Sequence, residues 1–345
     1  MGSRWLITGA QGFVGRYVSA HILASEPDST VFGIGRSARL DGYFSHNISV
    51  PEGRARAPLP EIIREFSGKR YRYSAVDVRH IERMRSIIEA FRPHFIVHLA
   101  SGLRGDEGTQ LRETNVKGTE AVFQSIALCK AQRPKVVAGS SGGVYGEVTS
   151  GRLPLRESES CSPLDPYCAS KFAAEQRARA IAGGGIRLAI ARIFNVVGAG
   201  QDERHVAGQM AAQLTSIKRG CNDRIRLGPL HCTRDFIDVR DVARALVTIA
   251  RSGEGIFNIG TGLERSIKQV LQEFLDIAGL RPRIVEEAEV GGGVLRNYAD
   301  ITRMRSLGFE PAFEFRRSVS DLLEYYDRLW QPANARKALI PDCAI

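Results

Sequence analysis

The sequence predicts an α/β protein, a doubly wound parallel sheet with helices on both faces and a smaller C-terminal α/β lobe. Three observations predict it. Apolar segments of strand length alternate with helical ones through the first two thirds of the 345 residues. The first strand runs into TGAQGFVG, a glycine-rich turn between a strand and a helix. Downstream, PLDPYCASKFAAEQ sets Tyr167 and Lys171 four residues apart, hence on one face of a helix.

The elements follow in order. Arg4–Thr8 is a short apolar strand, and the helix after Gly15, YVSAHILAS, stops before Pro27. Thr30–Ile34 is the second strand. Residues 37–70, polar and bearing several Arg and Pro, read as an irregular insertion with one short helix near Pro60–Phe66. Tyr73–Val76 is a third strand ending at Asp77, Ile81–Phe91 a helix, and Phe95–Leu99 the fourth strand. Glu113–Cys129 is its long following helix. Strands at Lys135–Ala138 and Arg187–Ile193 flank the helix of Tyr167. Beyond Asn195 the alternation loosens, with helices near 205–220 and 266–278 and strands at 225–227 and 283–285. Gly183–Gly185 and Gly291–Gly293 read as loop glycines. The expected division is a cofactor domain over 1–195, with returning elements around 235–260, and a lobe over 196–345 that is mainly substrate-binding.

Composition narrows the class. Apolar content of 43% and charged content of 25% suit a globular protein with a sizeable core. The net charge of +10 raises a nucleic-acid reading. The Lys and Arg are scattered, however, and neither an RNA-binding aromatic motif nor a helix-turn-helix pattern occurs. A basic pocket for an anionic small molecule is the better expectation. Cysteines 129, 161, 168, 221, 232 and 343 show no CxxC pair and no metal-ligand spacing, so reduced thiols in the cytoplasm, without a metal, are expected. No apolar run approaches the roughly 20 residues needed to span a bilayer. WLITGA leads straight into the glycine turn and reads as a strand rather than a signal peptide.

Gly9, Gly12 and Gly15 give the turn its chemistry. The first permits a tight turn, the second lets backbone approach a pyrophosphate, and the third lets the helix pack close to the strand. Phe13 and Val14 fill the positions between, and the helix N-terminus faces the phosphates. This is the fingerprint of a Rossmann-type dinucleotide site. An acidic residue at the end of the second strand would hold the adenosine ribose of NAD. The chain reads VFGIGRSAR there, with Gly35 in the acidic position and Arg36 and Arg39 close by. Loss of a negative charge and gain of positive ones favours the 2′-phosphate of NADP(H) over NAD(H). Asp77 and Val78, after the third strand, are placed to meet the adenine, and Leu99, Ala100 and Ser101 to line the cofactor wall.

Tyr167 and Lys171 supply proton chemistry. A free phenol, with a pKa of about 10, is a weak base at neutral pH. An ammonium one turn away is expected to pull it well below that value and to hold the nicotinamide ribose. GSSGGVYG offers Ser140 and Ser141, after a strand, to orient a substrate oxygen.

With these motifs on the page, the chain resembles the extended short-chain dehydrogenase/reductases that act on nucleotide sugars. The resemblance covers nearly the whole length: TGAQGFVG, HLA at 98–100, NVKGT at 115–119, SSGGVYG, YCASK, RIFNVVGAGQ and TRDFIDVRDVA. It implies Ser141, rather than Ser140, as the catalytic serine beside Tyr167 and Lys171. It also implies Asn115 as a residue shaping the central, cofactor-binding site. Asn195 is similar to a residue that contacts the sugar nucleotide, and Arg234 to one that contacts its nucleotide or phosphates. The alternative for Arg234 is an ion pair with Asp235 or Asp238.

The 4,6-dehydratases of the family carry an Asp-Glu pair where this chain has Gly142 and Gly143, which speaks against that elimination. FNVVGAGQ and GPLHCTRDF resemble segments of the reductases acting on GDP-4-dehydro-6-deoxymannose. The usual R-P-x-D is missing, and Arg296 is only a stand-in for its pyrophosphate contact. The reading is therefore NADPH-dependent reduction of the C4 ketone of a nucleotide-linked 4-dehydro-6-deoxyhexose. A 4-epimerase with tightly bound NAD and a non-catalytic NADP sensor stay as alternatives. The resemblance further implies a homodimer joined through a four-helix bundle of the 113–129 helix and the Tyr167 helix. Val122, Ile126 and Phe172 would serve that face or else the sheet.

Overall fold

Buried on both faces, the strands of a parallel sheet read as apolar runs without alternation, and so they do here. The computed structural model describes residues 2–38, 41–63, 70–130, 133–286 and 294–331. Its central sheet comprises β1 (Arg4–Thr8), β2 (Thr30–Gly35), β3 (Tyr71–Ala75), β4 (Phe95–His98), β5 (Lys135–Ser141), β6 (Leu188–Ile193) and β7 (Gly255–Ile259). Their order is β7-β6-β5-β4-β1-β2-β3, and every pairing is parallel. Strand order reverses between β1 and β4, and a crevice opens at the carboxyl ends there.

Helices cover both faces. On one, α1 (Phe13–Ser25) brings Val18 and Ile22 into a cluster with Trp5, Ile7, Val97 and Val137. On the other lie α2 (Ile81–Phe91), α3 (Gly118–Ala127) and α4 (Pro166–Ala182). Met84, Ile88, Val122, Phe123, Ile126 and Ala178 pack there on Leu6, Ile34, Ile96 and Val136. Val122 and Ile126 are thus fully buried against the sheet and take no part in a dimer face. Phe172 is half-buried against the larger cluster. α3 continues a helical stretch that begins earlier than expected, at Gly108–Leu111, and passes through a π-helical segment, Arg112–Lys117.

The second lobe is interleaved with the sheet. α5 (Val206–Lys218) precedes the strand Arg224–Leu227, which pairs in parallel with Arg283–Glu286. The elements expected around 235–260 are Phe236–Asp238, α6 (Val239–Ser252) and β7, the sheet's edge. α6 lies on the α1 face, where Val242, Leu246 and Ile249 join the larger cluster. α7 (Ile267–Ala278) opens on a capping box, Ser266 with Gln269. α8 (Phe315–Leu329) closes the lobe, burying Val319, Leu322 and Tyr326. Among the described residues no helix is long and apolar enough to cross a membrane.

The stretch 37–70 departs from expectation. Instead of an irregular insertion it holds an antiparallel hairpin, Tyr43–Val50 with Gly53–Pro58. The hairpin escapes a reading of periodicity because only Phe44, Ile48 and Ala57 along its two strands are buried. The short helix near Pro60 is one 3-10 turn, Glu61–Ile63, and the rest of that expectation lies outside the described residues, as do Arg39, Gly291–Gly293 and Cys343.

Candidate active site

The glycines of the first turn are fixed by close approach. Gly9 has φ +68°, and a Cβ there would lie 2.8 Å from the backbone of Leu99 and Ala100. A Cβ on Gly15 would stand 2.2 Å from the Gly9 carbonyl oxygen, so only glycine lets α1 start so near β1. Gly12 caps α1 without a side-chain bond, and no acid occupies the first turn, leaving the helix N-terminus open toward an anion. Thr8 ties the two sides of the crevice. Its Oγ1 accepts from Leu99 N and Ala100 N at 3.2 Å and lies 2.7 Å from His98 Nδ1. Burial pushes His98 down to about 3, with the Lys171 charge adding to it, so this imidazole is a neutral cross-link.

One cleft of about 1620 Å³ runs from this turn across the carboxyl ends of the strands. A single small ligand takes about 300–1,000 Å³, so the cleft has room for two. Gly9, Gly12, Phe13, Val14 and Gly15 line it, as do Gly35, Arg36, Asp77, Val78, Leu99, Ala100 and Ser101. A Cβ on Gly35 would meet the Tyr73 hydroxyl at 2.9 Å, so the position expected to carry an acid in NAD sites is kept small. Arg36 is exposed at the cleft edge and enters no ion pair among the described residues. Asp77 is paired with Arg79 at 2.7 Å, a bond that holds its carboxyl below the usual range.

The residues expected to move the proton meet at the cleft's centre. β5 ends at Ser141, α4 begins at Pro166 with Asp165 as its N-cap, and Ser141, Tyr167 and Lys171 all line the cleft. The structure separates the two serines. Ser140 donates to the buried carboxylate of Glu175, which is paired with Arg192 at 2.8 Å. Ser141 Oγ accepts from Gly143 N at 3.1 Å, which leaves its hydroxyl proton for another acceptor.

Electrostatics correct one expectation. Burial pushes the Tyr167 phenol up, to about 12, rather than down. Cys168 adds to the rise, and Arg104 opposes it. Lys171, 7% exposed, is itself pushed down to about 8 by burial, with Glu175 one turn on acting the other way. A sequence shows the spacing of a cation and a phenol but not their shared desolvation.

Asn115 shapes the site from behind. It stands behind the cleft wall, 1% exposed, not in it. Its Oδ1 accepts from Gly102 N at 2.7 Å and Ser101 Oγ at 3.0 Å, and its Nδ2 donates to Ser170 Oγ at 2.8 Å. It thereby pins the loop after β4 to the helix of Tyr167, from the π-helical segment that turns it inward.

On the far wall Asn195 and Arg234 line the cleft. The carboxylates weighed as partners for Arg234 are occupied elsewhere. Asp238 pairs with Arg240 at 2.7 Å, and Asp235 accepts from the amides of Thr261, Gly262 and Ala299. Arg296 is bidentate to Glu264 at 2.6 Å and lies outside the lining of the cleft. Sequence reasoning missed Arg104, Arg204, His205 and Asn297, which line the cleft, and the hairpin residues Ser45, His46 and Asn47. None carries a motif; each arrives through the tertiary fold.

Comparison with known proteins places the chain. The model of the NAD dependent epimerase/dehydratase family matches residues 5–260. The GDP-6-deoxy-D-mannose reductase of Pseudomonas aeruginosa is 27% identical over 293 residues, 83% of this chain and 84% of that protein. A putative UDP-glucose 4-epimerase of Methanocaldococcus jannaschii is 32% identical over 215 residues, 62% and 69% of the two chains. Among solved structures, RMD from Pseudomonas aeruginosa complexed with NADPH shares the fold, with a TM-score of 0.75 at 24% identity over 94% of this chain and 99% of that one.

Proposed function

Because the chain belongs to the NAD dependent epimerase/dehydratase family, we propose that it reduces the C4 ketone of a nucleotide-linked 4-dehydro-6-deoxyhexose with NADPH. GDP-4-dehydro-6-deoxymannose is the first candidate, on the likeness to the Pseudomonas aeruginosa reductase. The observation that carries the reading is Ser141, Tyr167 and Lys171 lining one cleft with the glycine turn, at a strand end where Gly142 and Gly143 offer no acid or base for dehydration.

When bound, the cofactor supplies a hydride to the carbonyl carbon. Tyr167 donates its hydroxyl proton to the oxygen that becomes the alcohol. A phenol raised by burial is in the donor form throughout the physiological range. Ser141 Oγ donates a hydrogen bond to the same oxygen and orients it. Lys171, on the same helix face, holds the ribose of the nicotinamide. Gly9 to Gly15 receive the diphosphate against the start of α1, and Arg36 meets the 2′-phosphate. Arg234 and Asn195 serve the nucleotide sugar on the opposite wall.

The test follows nicotinamide absorbance with NADPH and NADH in parallel, against GDP- and dTDP-linked 4-dehydro-6-deoxyhexoses. Loss of NADPH equal to alcohol formed supports the reductase. No net consumption, with NAD released on denaturation and 4-epimers accumulating, overturns it in favour of an epimerase.

A further inference from the structure

Two cations stand near Tyr167, and the sequence pattern points to only one. Lys171 follows it by one turn of α4. The other is Arg104, in the loop after β4, whose guanidinium carbon lies 5.6 Å from the centroid of the Tyr167 ring. Arg104 Nη1 donates to Asp165 Oδ2 at 2.6 Å, and Nη2 donates to Cys168 Sγ at 3.4 Å. Asp165 in turn caps α4 by accepting from Cys168 N at 2.8 Å. One side chain therefore holds the cap, the ring and the thiol of a single helical turn. It does so from within the cleft that Tyr167 lines.

We propose that Arg104 is a positioning residue for Tyr167, clamping the ring against the start of α4 and supplying the fixed positive charge that stabilises its oxygen as the proton leaves. This rests on Tyr167 being the proton donor. The two cations divide the work by their chemistry. A lysine shifts readily when buried, whereas a guanidinium stays charged at every pH the protein meets and is suited to a planar ring. Lys171 at about 8 loses charge in mildly alkaline solution; Arg104 does not.

The groups around Tyr167 are few. On α4 they are Asp165, Cys168 and Lys171, and from the loop after β4, Ser101, Arg104 and Asp106, whose carboxylate accepts from Leu103 N. From β5 comes Ser141, and from the second lobe Arg204 and His205 line the same cleft. Burial keeps the Cys168 thiol neutral, pushed up to about 12, and pulls His205 down. Arg204 is paired with Asp202. The permanent charges close to the ring are thus Arg104 and its counterion Asp165, and removing one or the other has opposite signs.

The experiment uses the full chain loaded with NADP⁺ and isotope-labelled tyrosine, with Tyr167→Phe identifying the signal. The Tyr167 titration is followed by ring-carbon chemical shift, alongside the pH profile of kcat for reduction. Arg104→Gln is expected to move the titration up by about one pH unit and to lower kcat. Asp165→Asn, which can still cap the helix, is expected to move the titration down. Arg104→Lys keeps the titration near its place but lowers kcat, since the fork that holds the ring is gone. Unmoved titrations in folded Arg104→Gln and Asp165→Asn proteins overturn the proposal. If Arg104→Gln does not fold, the downward shift in Asp165→Asn decides alone. Titrations that move in a protein inactive on every 4-keto nucleotide sugar sustain Arg104's effect on the phenol and sink the proposed reaction instead.

Discussion

The two walls of the cleft are made of different material. The wall at the glycine turn is backbone: three glycines, an open helix N-terminus and the amides of Leu99 and Ala100, held together by one threonine hydroxyl. The opposite wall, with the helix of Tyr167, is built from charged side chains held in pairs, Arg104 with Asp165, Arg204 with Asp202, and Glu175 with Arg192 behind them. A backbone site has its geometry before any ligand arrives, and titration scarcely alters it. A side-chain site depends on counterions, so its chemistry can be moved by one neighbour.

That contrast is broken most sharply at Tyr167. Tyr167→Phe removes a proton but no backbone, so turnover should fall by about 10²–10⁴-fold while cofactor affinity barely changes. Rapid kinetics and a cofactor titration on the same preparation read both, and a parallel loss of affinity would mean that the walls are not separable. The next largest effect lies behind the wall. Glu175 and Arg192 are 4% and 3% exposed, and Ser140 also donates to the carboxylate. Glu175→Ala leaves a buried guanidinium without its partner, a change that costs about 3–5 kcal/mol. Urea unfolding measures it, and a loss under 1 kcal/mol would show that water or a neighbour takes over the charge.

The same contrast explains what could be read from the chain. Gly9, Gly12 and Gly15 were legible because a backbone requirement leaves a fixed spacing, and Tyr167 and Lys171 because a helix face does. Arg104, Asn297 and His46 were not, since each reaches the cleft from a segment whose own sequence records nothing of its destination. The hairpin over Tyr43–Pro58 hid behind its few inward residues. α8 was readable and still missed, with Val319, Leu322, Leu323 and Tyr326 at helical spacing. Asn115 was legible in identity but not in placement, because the π-helical segment turns it behind the wall. For Tyr167 the sequence suggested the sign of one interaction, whereas the outcome is set by burial, which spacing alone does not reveal.

Lys171 sharpens the comparison through pH. Its folded-state value of about 8 lies below the usual 10.5, so between those values the unfolded chain binds more protons than the folded one. Stability attributable to this group therefore rises as pH climbs from about 8 to 10.5 and is penalised below that window. Lys171→Met should lose turnover and yet gain stability at neutral pH, on the order of 2 kcal/mol. Unfolding midpoints of both proteins across the window check it. The variant should lack the wild-type rise, and identical slopes would show that Glu175 fully compensates the buried ammonium.

The smallest effect belongs to Arg36, a free charge that the backbone wall enlists among the described residues. Arg36 is exposed and unpaired among the described residues, so water and salt compete with any phosphate it meets. Arg36→Ala should therefore lower the preference for NADPH over NADH by only about tenfold, the 1.4 kcal/mol of one exposed charge-assisted contact. Adding salt should erode the wild-type preference but leave that of the variant nearly flat. The converse substitution, Gly35→Asp, is a poorer test, because its Cβ would meet the Tyr73 hydroxyl at 2.9 Å and shift the strand end as well as the charge. A ratio of kcat/KM for the two cofactors unchanged in Arg36→Ala would mean that backbone alone sets the cofactor wall, with no discrimination at the ribose.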